Sequence, residues 1–221
     1  METVLITGAN RGIGLELVKC HINRGDEVIA VCRNSSDALD KSGSRIICGI
    51  DMSGPESISS LKSKINGLSI DRVIANAGVR GYEDYDSLDF NSICYQYEVN
   101  ALGPLRLVHS LDSFLAKGAK IVLITTKVAS LEDNESGGEF GYRMSKVSLN
   151  MAGVNLAHAL KPRKIAVFLL HPGYVRTDLT GGEGLINVDE SAASIVAVTD
   201  KMRLEDTGRF WHAHWDEEIP W

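Results

Sequence analysis

At 221 residues and 44% hydrophobic content, the chain can bury one substantial core, and its length favours a single domain. A net charge of -6 and a pI near 5.5 argue against a protein that grips phosphate backbones, and no Lys/Arg cluster offers a nucleic-acid or membrane patch. No apolar run approaches the ~20 residues that span a bilayer, and residues 1–6 lack the cationic start of a signal peptide, so a soluble cytoplasmic protein is expected. Cys20, Cys32, Cys48 and Cys94 are scattered without a CxxC pair. The apolar neighbours of Cys32 and Cys48 predict buried structural thiols, with neither a zinc site nor a disulfide frame.

Along the chain, short β-branched runs alternate with longer segments of helical period. The first strand, Val4 to Thr7, runs into Thr7-Gly8-Ala9-Asn10-Arg11-Gly12-Ile13-Gly14 and a helix from Gly12 to Arg24. A second strand, Glu27 to Val31, ends at Cys32-Arg33-Asn34, and a third, Arg45 to Gly49, is followed by Asp51-Met52. A helix from Pro55 to Gly67 leads to a fourth strand, Arg72 to Ala75, closed by Asn76-Ala77-Gly78. One long helix is predicted from Leu88 to Lys117, then a strand from Lys120 to Thr125, a helix from Tyr142 to Leu160 and a strand from Ile165 to Leu170. A helix from Val188 to Leu204 and a seventh strand at Gly208 to Trp211 complete the series. This βα alternation with near-continuous apolar strands predicts an α/β fold: a doubly wound parallel sheet of the Rossmann type, about seven strands, helices on both faces, one domain over 1–221.

Ligands of such sheets bind beyond the carboxyl ends of the strands, where every polar motif of this chain falls. Glycines after the first strand let backbone N–H groups approach a pyrophosphate at a helix N-terminus, although the spacing is GxxxGxG and departs from GxGxxG. Gly8, Asn10, Arg11, Gly12, Ile13 and Gly14 are therefore candidate cofactor contacts. The second strand ends in Arg33-Asn34 where an NAD site usually presents a carboxylate, and Arg11 adds a second cation. Two arginines and no carboxylate point to the 2′-phosphate of NADP(H). Asp51, with Met52, is placed to contact an adenine, or serves only to start a turn. Asn76, Ala77 and Gly78 supply the small residues needed where backbone passes beside a cofactor. Tyr142 and Lys146 stand four residues apart on one helical face. A phenol titrating at pH ~10 needs a neighbouring positive charge to exchange protons usefully at neutral pH, and Lys146 can supply it. On spacing alone, a half-buried tyrosine beside a solvated lysine reads as well.

Thr7 to Gly14, Asn76-Ala77-Gly78 and Tyr142 to Lys146, in this order and on these elements, resemble the short-chain dehydrogenase/reductase family. Gly137 to Lys146, His171-Pro172-Gly173-Tyr174-Val175-Arg176-Thr177-Asp178, Glu205 to Phe210 and Ile219-Pro220-Trp221 look like its C-factor and carbonyl-reductase-like branch. The resemblance implies hydride transfer with Tyr142 as general acid toward a carbonyl, or base toward an alcohol. It implies that Lys146 lowers the tyrosine pKa and holds the nicotinamide ribose, and that Asn100 holds a water in the proton relay. Read without the family, Asn100 is a polar residue in an apolar helical stretch that can instead satisfy a local backbone group.

The family's serine after the fifth strand is replaced here by Thr126, whose hydroxyl can donate the same bond but whose methyl narrows the space around a carbonyl. Ser130 is the alternative, with an insertion over Leu131 to Phe140. Pro172, Gly173, Val175 and Thr177 match the segment that contacts the nicotinamide amide and diphosphate, while His171 is assigned to the turn. Val79, Tyr82, Leu131, Tyr174 and Leu179 are the expected lining for a small hydrophobic aldehyde, ketone or quinone. Tyr82 and Tyr85 lie in an acidic loop with Glu83, Asp84 and Asp86 that reads as solvated. A second reading is an NADP(H)-binding signalling or regulatory protein of the C-factor type with little or no turnover, which the Thr126 replacement favours. Pairing through the fourth and fifth helices as a homodimer is possible, since Met151-Ala152-Gly153 permits close packing, but the same residues suit helix-on-sheet packing.

Overall fold

Along the inner strands, neighbouring side chains enter opposite layers, so both faces of the sheet are apolar. In the computed structural model, which describes residues 1–221, Val4 and Ile6 of strand β1 (Thr3–Thr7) pack into one core and Leu5 into the other. Strands β2 (Glu27–Val31), β3 (Arg45–Ile47), β4 (Ile70–Ala75), β5 (Leu115–Ile124), β6 (Ala166–His171) and β7 (Phe210–His212) follow, with a two-residue strand β8 (Glu217–Glu218). The sheet order is β3-β2-β1-β4-β5-β6-β7-β8; all pairs are parallel except the last. Helices α1 (Gly12–Asn23) and α7 (Val188–Lys201) cover one face, through Leu17, Val18, Ala192 and Ile195. The other is covered by α3 (Pro55–Lys64), α5 (Gly103–Leu111) and α6 (Phe140–Leu160), through Ile58, Leu61, Leu107, Leu111 and Leu149. Strands buried on both faces have no reason to alternate polar and apolar residues, which is why they read as continuous apolar runs. The strand order reverses between β1 and β4, and a crevice opens over their carboxyl ends.

The structure differs from these expectations in several places. The long helix from Leu88 to Lys117 is broken. Helix α4 (Phe90–Tyr97) passes into a π-helical turn at Glu98–Leu102 and then α5, and residues 115–117 belong to β5, where Leu115 pairs with Ile70 before a register shift. Pro104 supplies no N–H to the Asn100 carbonyl one turn earlier, so the wide turn falls where an α-helical bond is missing. A single-turn helix, Asp37–Asp40, was not predicted; counted in chain order it is α2. Cys48 is exposed, contrary to the expected buried thiol, because β3 ends one residue earlier at Ile47. A Cβ on Gly153 would lie 2.7 Å from Leu169 and 3.0 Å from Leu123, so this small residue serves packing of α6 on the sheet. No helix is long and apolar enough to cross a membrane.

At the opposite end of the sheet, buried Arg72 pairs with Glu2 at 2.9 Å and Asp200 at 2.8 Å, and Arg24 also reaches Asp200 at 2.7 Å. Asp26 accepts from the Glu2 N–H at 3.0 Å and pairs with His21 at 2.8 Å. Burial raises the Asp200 carboxyl, yet the hydrogen bonds from Arg72 and Arg24 hold it below the usual carboxylate range. These contacts join the first strand to the last long helix.

Candidate active site

The glycine loop between β1 and α1 is built for close backbone approach. Gly8 (φ +66) and Gly12 (φ +54) occupy the left-handed region, and a Cβ on Gly8 would stand 2.9 Å from the Ala77 Cα. Asn76 closes the opposite wall: its side-chain amide donates to the Thr7 carbonyl at 3.1 Å, and its N–H donates to the Thr7 hydroxyl at 3.1 Å. A cleft of about 650 Å³ follows, lined by Gly8, Asn10, Arg11, Gly12, Ile13, Arg33, Asn34, Asp51, Met52, Asn76, Ala77, Gly78, Tyr142, Lys146, Pro172 and Thr177 among others. Gly14 does not line it; this glycine lies behind the loop, against the Gly8 carbonyl and Asn76.

Of the arginines lining the cleft, Arg33 and Arg11 have different partners. Arg33 reaches the Tyr95 hydroxyl at 3.4 Å, and Arg11 crosses to Asp178 at 2.6 Å, in the segment after β6. Asp51 accepts from the Ser53 N–H at 2.9 Å, which holds its carboxyl below the ordinary value. The sequence singles out Asp178 only as the end of the run from His171, and does not single out Tyr95.

Tyr142 and Lys146 sit one turn apart on the buried face of α6. The Lys146 ammonium donates to the Ile124 carbonyl at 2.8 Å, and burial lowers its pKa to about 8. Burial pushes the Tyr142 phenol up to about 12, opposed first by the charge of Arg80 and then by a hydrogen bond with Thr126. Thr126 and Tyr142 face a common cavity, whereas Ser130 is turned away and donates to the Trp221 carbonyl at 3.2 Å. Asn100 is fully buried. Its amide brackets Val79, accepting from that N–H at 2.9 Å and donating to that carbonyl at 2.8 Å, and it reaches the Ser145 hydroxyl at 3.0 Å. The side chain thus satisfies backbone beyond β4, 21 residues away in the chain, and not the local backbone group of its alternative reading.

Past Tyr142 lies a second cavity of about 370 Å³, lined by Arg80, Thr126, Lys127, His171, Gly173, Tyr174, Val175, Leu179, His212, His214 and Trp215 among others. Tyr174 and Leu179 take the expected lining position, while Val79 lines the cofactor cleft. Tyr82 and Leu131 line neither cavity: Leu131 is exposed, and the Tyr82 hydroxyl donates to the Leu179 carbonyl at 3.1 Å. Glu83 is not solvated but buried, accepting from Gln96 at 2.6 Å and from the Ser92 hydroxyl.

His171, assigned from sequence to the turn, also lines this cavity, its ring edge-on to His212 at 4.6 Å, and His212 stacks on Trp215 at 4.1 Å. Burial, then the neighbouring His212, lowers His171 to about 3; burial, then His214, lowers His212 to about 4. Both rings stay neutral in the folded chain, while the unfolded chain takes up protons near 6.5. The unfolded state binds more protons as pH falls below that value, so stability is present above it and lost as pH falls toward 4 and 3. Thermal unfolding at pH 5 is therefore expected at a lower temperature than at pH 7.5, with the gap reduced in His171→Asn. Equal melting temperatures would contradict this.

The glycine loop, the Asn76 wall and the Tyr142/Lys146 helix stand together at the switch point of a doubly wound sheet, the site of a dinucleotide-dependent enzyme. A family model described as short chain dehydrogenase matches residues 2–184, and the chain belongs to that family of oxidoreductases. It is similar to 1-hydroxy-2-glutathionyl-2-methyl-3-butene dehydrogenase of Rhodococcus sp. (strain AD45), at 38% identity over 96% of this chain and 97% of the relative. It is also similar to C-signal of Myxococcus xanthus, at 35% identity over 69% of this chain and 93% of the relative. Among solved structures, NADPH-bound carbonyl reductase from chicken fatty liver superposes with a TM-score of 0.90 at 25% identity, covering 100% of this chain and 99% of the other.

Proposed function

We propose that the chain is an NADPH-dependent reductase that transfers hydride to the carbonyl of a small hydrophobic aldehyde, ketone or quinone. The observation that carries this is the position of Tyr142, which lines both the nucleotide cleft and the second cavity, with Thr126 beside it and Lys146 one turn below. The open glycine loop suits a pyrophosphate, with Gly8, Asn10, Gly12 and Ile13 holding it. Arg33, Asn34 and Arg11 would hold the 2′-phosphate, Asp51 and Met52 the adenine, and Lys146 the nicotinamide ribose. Pro172, Gly173, Val175 and Thr177 would frame the nicotinamide amide. Bound there, NADPH supplies the hydride. Tyr142 gives its proton to the substrate oxygen while Thr126 donates a hydrogen bond to the same oxygen. Asn100 holds the chain beyond β4 in place and would hold a water of the proton relay.

Support comes from the NADPH-bound carbonyl reductase of the same fold and from the two arginines at the adenosine end. The test is oxidation of NADPH and of NADH over a panel of aldehydes, ketones and quinones, with a glutathionyl alcohol in the reverse direction because of the Rhodococcus relative. NADPH is expected to be preferred, and Arg33→Asp to move the preference toward NADH. An unchanged preference removes Arg33 from the phosphate site. The resemblance to C-signal favours the second reading, a regulatory protein that binds NADP(H). Tight NADPH binding without turnover on any member of the panel would select it.

A further inference from the structure

The Lys146 ammonium donates to the Ile124 carbonyl, and a second cation lies against Tyr142. The Arg80 guanidinium stands 5.5 Å from the centre of the Tyr142 ring and 4.9 Å from that of Tyr82. A cation over an aromatic face is attracted by the ring, and more strongly where water is excluded. Arg80 is 20% exposed, and its Nε is buried without a hydrogen-bond partner, so the planar group is committed to the rings and to one carboxylate, that of Glu139.

Glu139 is itself unusual. The turn into α6 runs through three successive left-handed residues, Gly137 (φ 63), Gly138 (φ 70) and Glu139 (φ 48). Glycine adopts this conformation freely, whereas a side chain there costs energy and persists where something holds it. Glu139 is the residue immediately before α6, three positions from Tyr142, and its carboxylate is spent on Arg80.

We propose that Arg80 and Glu139 form a positioning pair for Tyr142, in which the guanidinium holds the phenol ring and favours its anionic form while the carboxylate fixes the guanidinium. This rests on Tyr142 being the proton donor. Of the influences on the phenol, the Arg80 charge is the largest that favours the anion, ahead of the Thr126 hydrogen bond, and the Glu139 charge opposes it. The other groups facing Tyr142 are Lys146 on its own helix, Tyr82 beyond β4, and Lys127, His171, Tyr174, His212 and His214 around the cavity. Lys146 is perturbed by burial alone, so a titration belonging to it does not follow Arg80.

The experiment is the pH profile of kcat/KM for oxidation of the alcohol produced from the best carbonyl substrate of the panel. It compares the wild-type enzyme with Arg80→Gln, Arg80→Lys and Glu139→Gln, using Tyr82→Phe to remove the second phenol. Oxidation needs the phenolate, so loss of the cation is expected to move the rising limb to higher pH by about one unit. At a fixed pH below that limb, the rate then falls about tenfold. Arg80→Lys keeps the charge and is expected to restore the limb, and Glu139→Gln to move it the opposite way, to lower pH. A rate loss in Arg80→Gln with an unmoved limb, or a limb displaced as far by Lys as by Gln, overturns the pair's role. Should Arg80→Gln fold poorly, the opposite displacement in Glu139→Gln carries the test. Full activity in Tyr142→Phe would instead overturn the proton donor itself.

Discussion

Tyr142→Phe is expected to lower kcat by about 10²–10⁴, the range a positioned general acid contributes, while the dissociation constant for NADPH stays close to that of the wild-type enzyme. The ring is 8% exposed and packed between α6 and Arg80, and phenylalanine fills the same space. What disappears is one hydroxyl, facing the cavity it shares with Thr126, and the proton. Thermal unfolding should move little, which separates a chemical defect from a folding defect. NADPH oxidation at saturating substrate, with cofactor binding followed by fluorescence, checks both halves. Substantial turnover in the variant would rule Tyr142 out as the donor.

Gly14→Val is expected to abolish measurable NADPH binding and to destabilise the fold by about 1–3 kcal/mol, the usual cost of forcing atoms into filled space. A Cβ at this position would overlap the Gly8 carbonyl oxygen and lie 2.7 Å from the Asn76 side-chain nitrogen. Neither neighbour can withdraw. Gly8 is already pressed against Ala77, and the Asn76 amide is tied to Thr7. Relief therefore requires the glycine loop to shift, and with it the N–H groups that face the cleft. Gly54→Ala is the matching control, because a Cβ there meets Ser57 at an ordinary 3.4 Å. Cofactor titration and urea unfolding of both variants provide the comparison, and normal NADPH affinity in Gly14→Val would refute the account.

The parallel sheet was legible because its strands are buried on both faces and the turns between them carry glycine and asparagine. The long helix was misread for a definite reason: apolar spacing continues through Glu98–Leu102, and a π-helical turn uses the same residues as an α-helical one. Leu115 and Ala116 likewise carry no sign that they begin a strand. Glu83 read as solvated from its acidic neighbours, since its partners Ser92 and Gln96 come from a separate helix. The glycine loop, Arg33 and the Tyr142/Lys146 pair announced themselves by spacing within one segment. The second cavity did not, because His171, His212 and Trp215 meet only when β6, β7 and the chain after β7 are folded together. Arg80 gave only a weak signal, a single arginine two residues past Asn76-Ala77-Gly78.

The Arg72 cluster has a consequence for how motion is distributed in the molecule. It clamps the first strand to the end of α7 at one pole of the sheet, while the glycine loop and the segment after β6 meet at the other pole through the exposed Arg11–Asp178 pair. Exposed ion pairs are weak and screened by salt, whereas the ion pairs of a buried arginine are shielded from it. Local opening is therefore expected first at the pole that holds the cleft, ahead of the pole held by Arg72. A binding loop can then breathe on its own timescale without loosening the core that positions Tyr142.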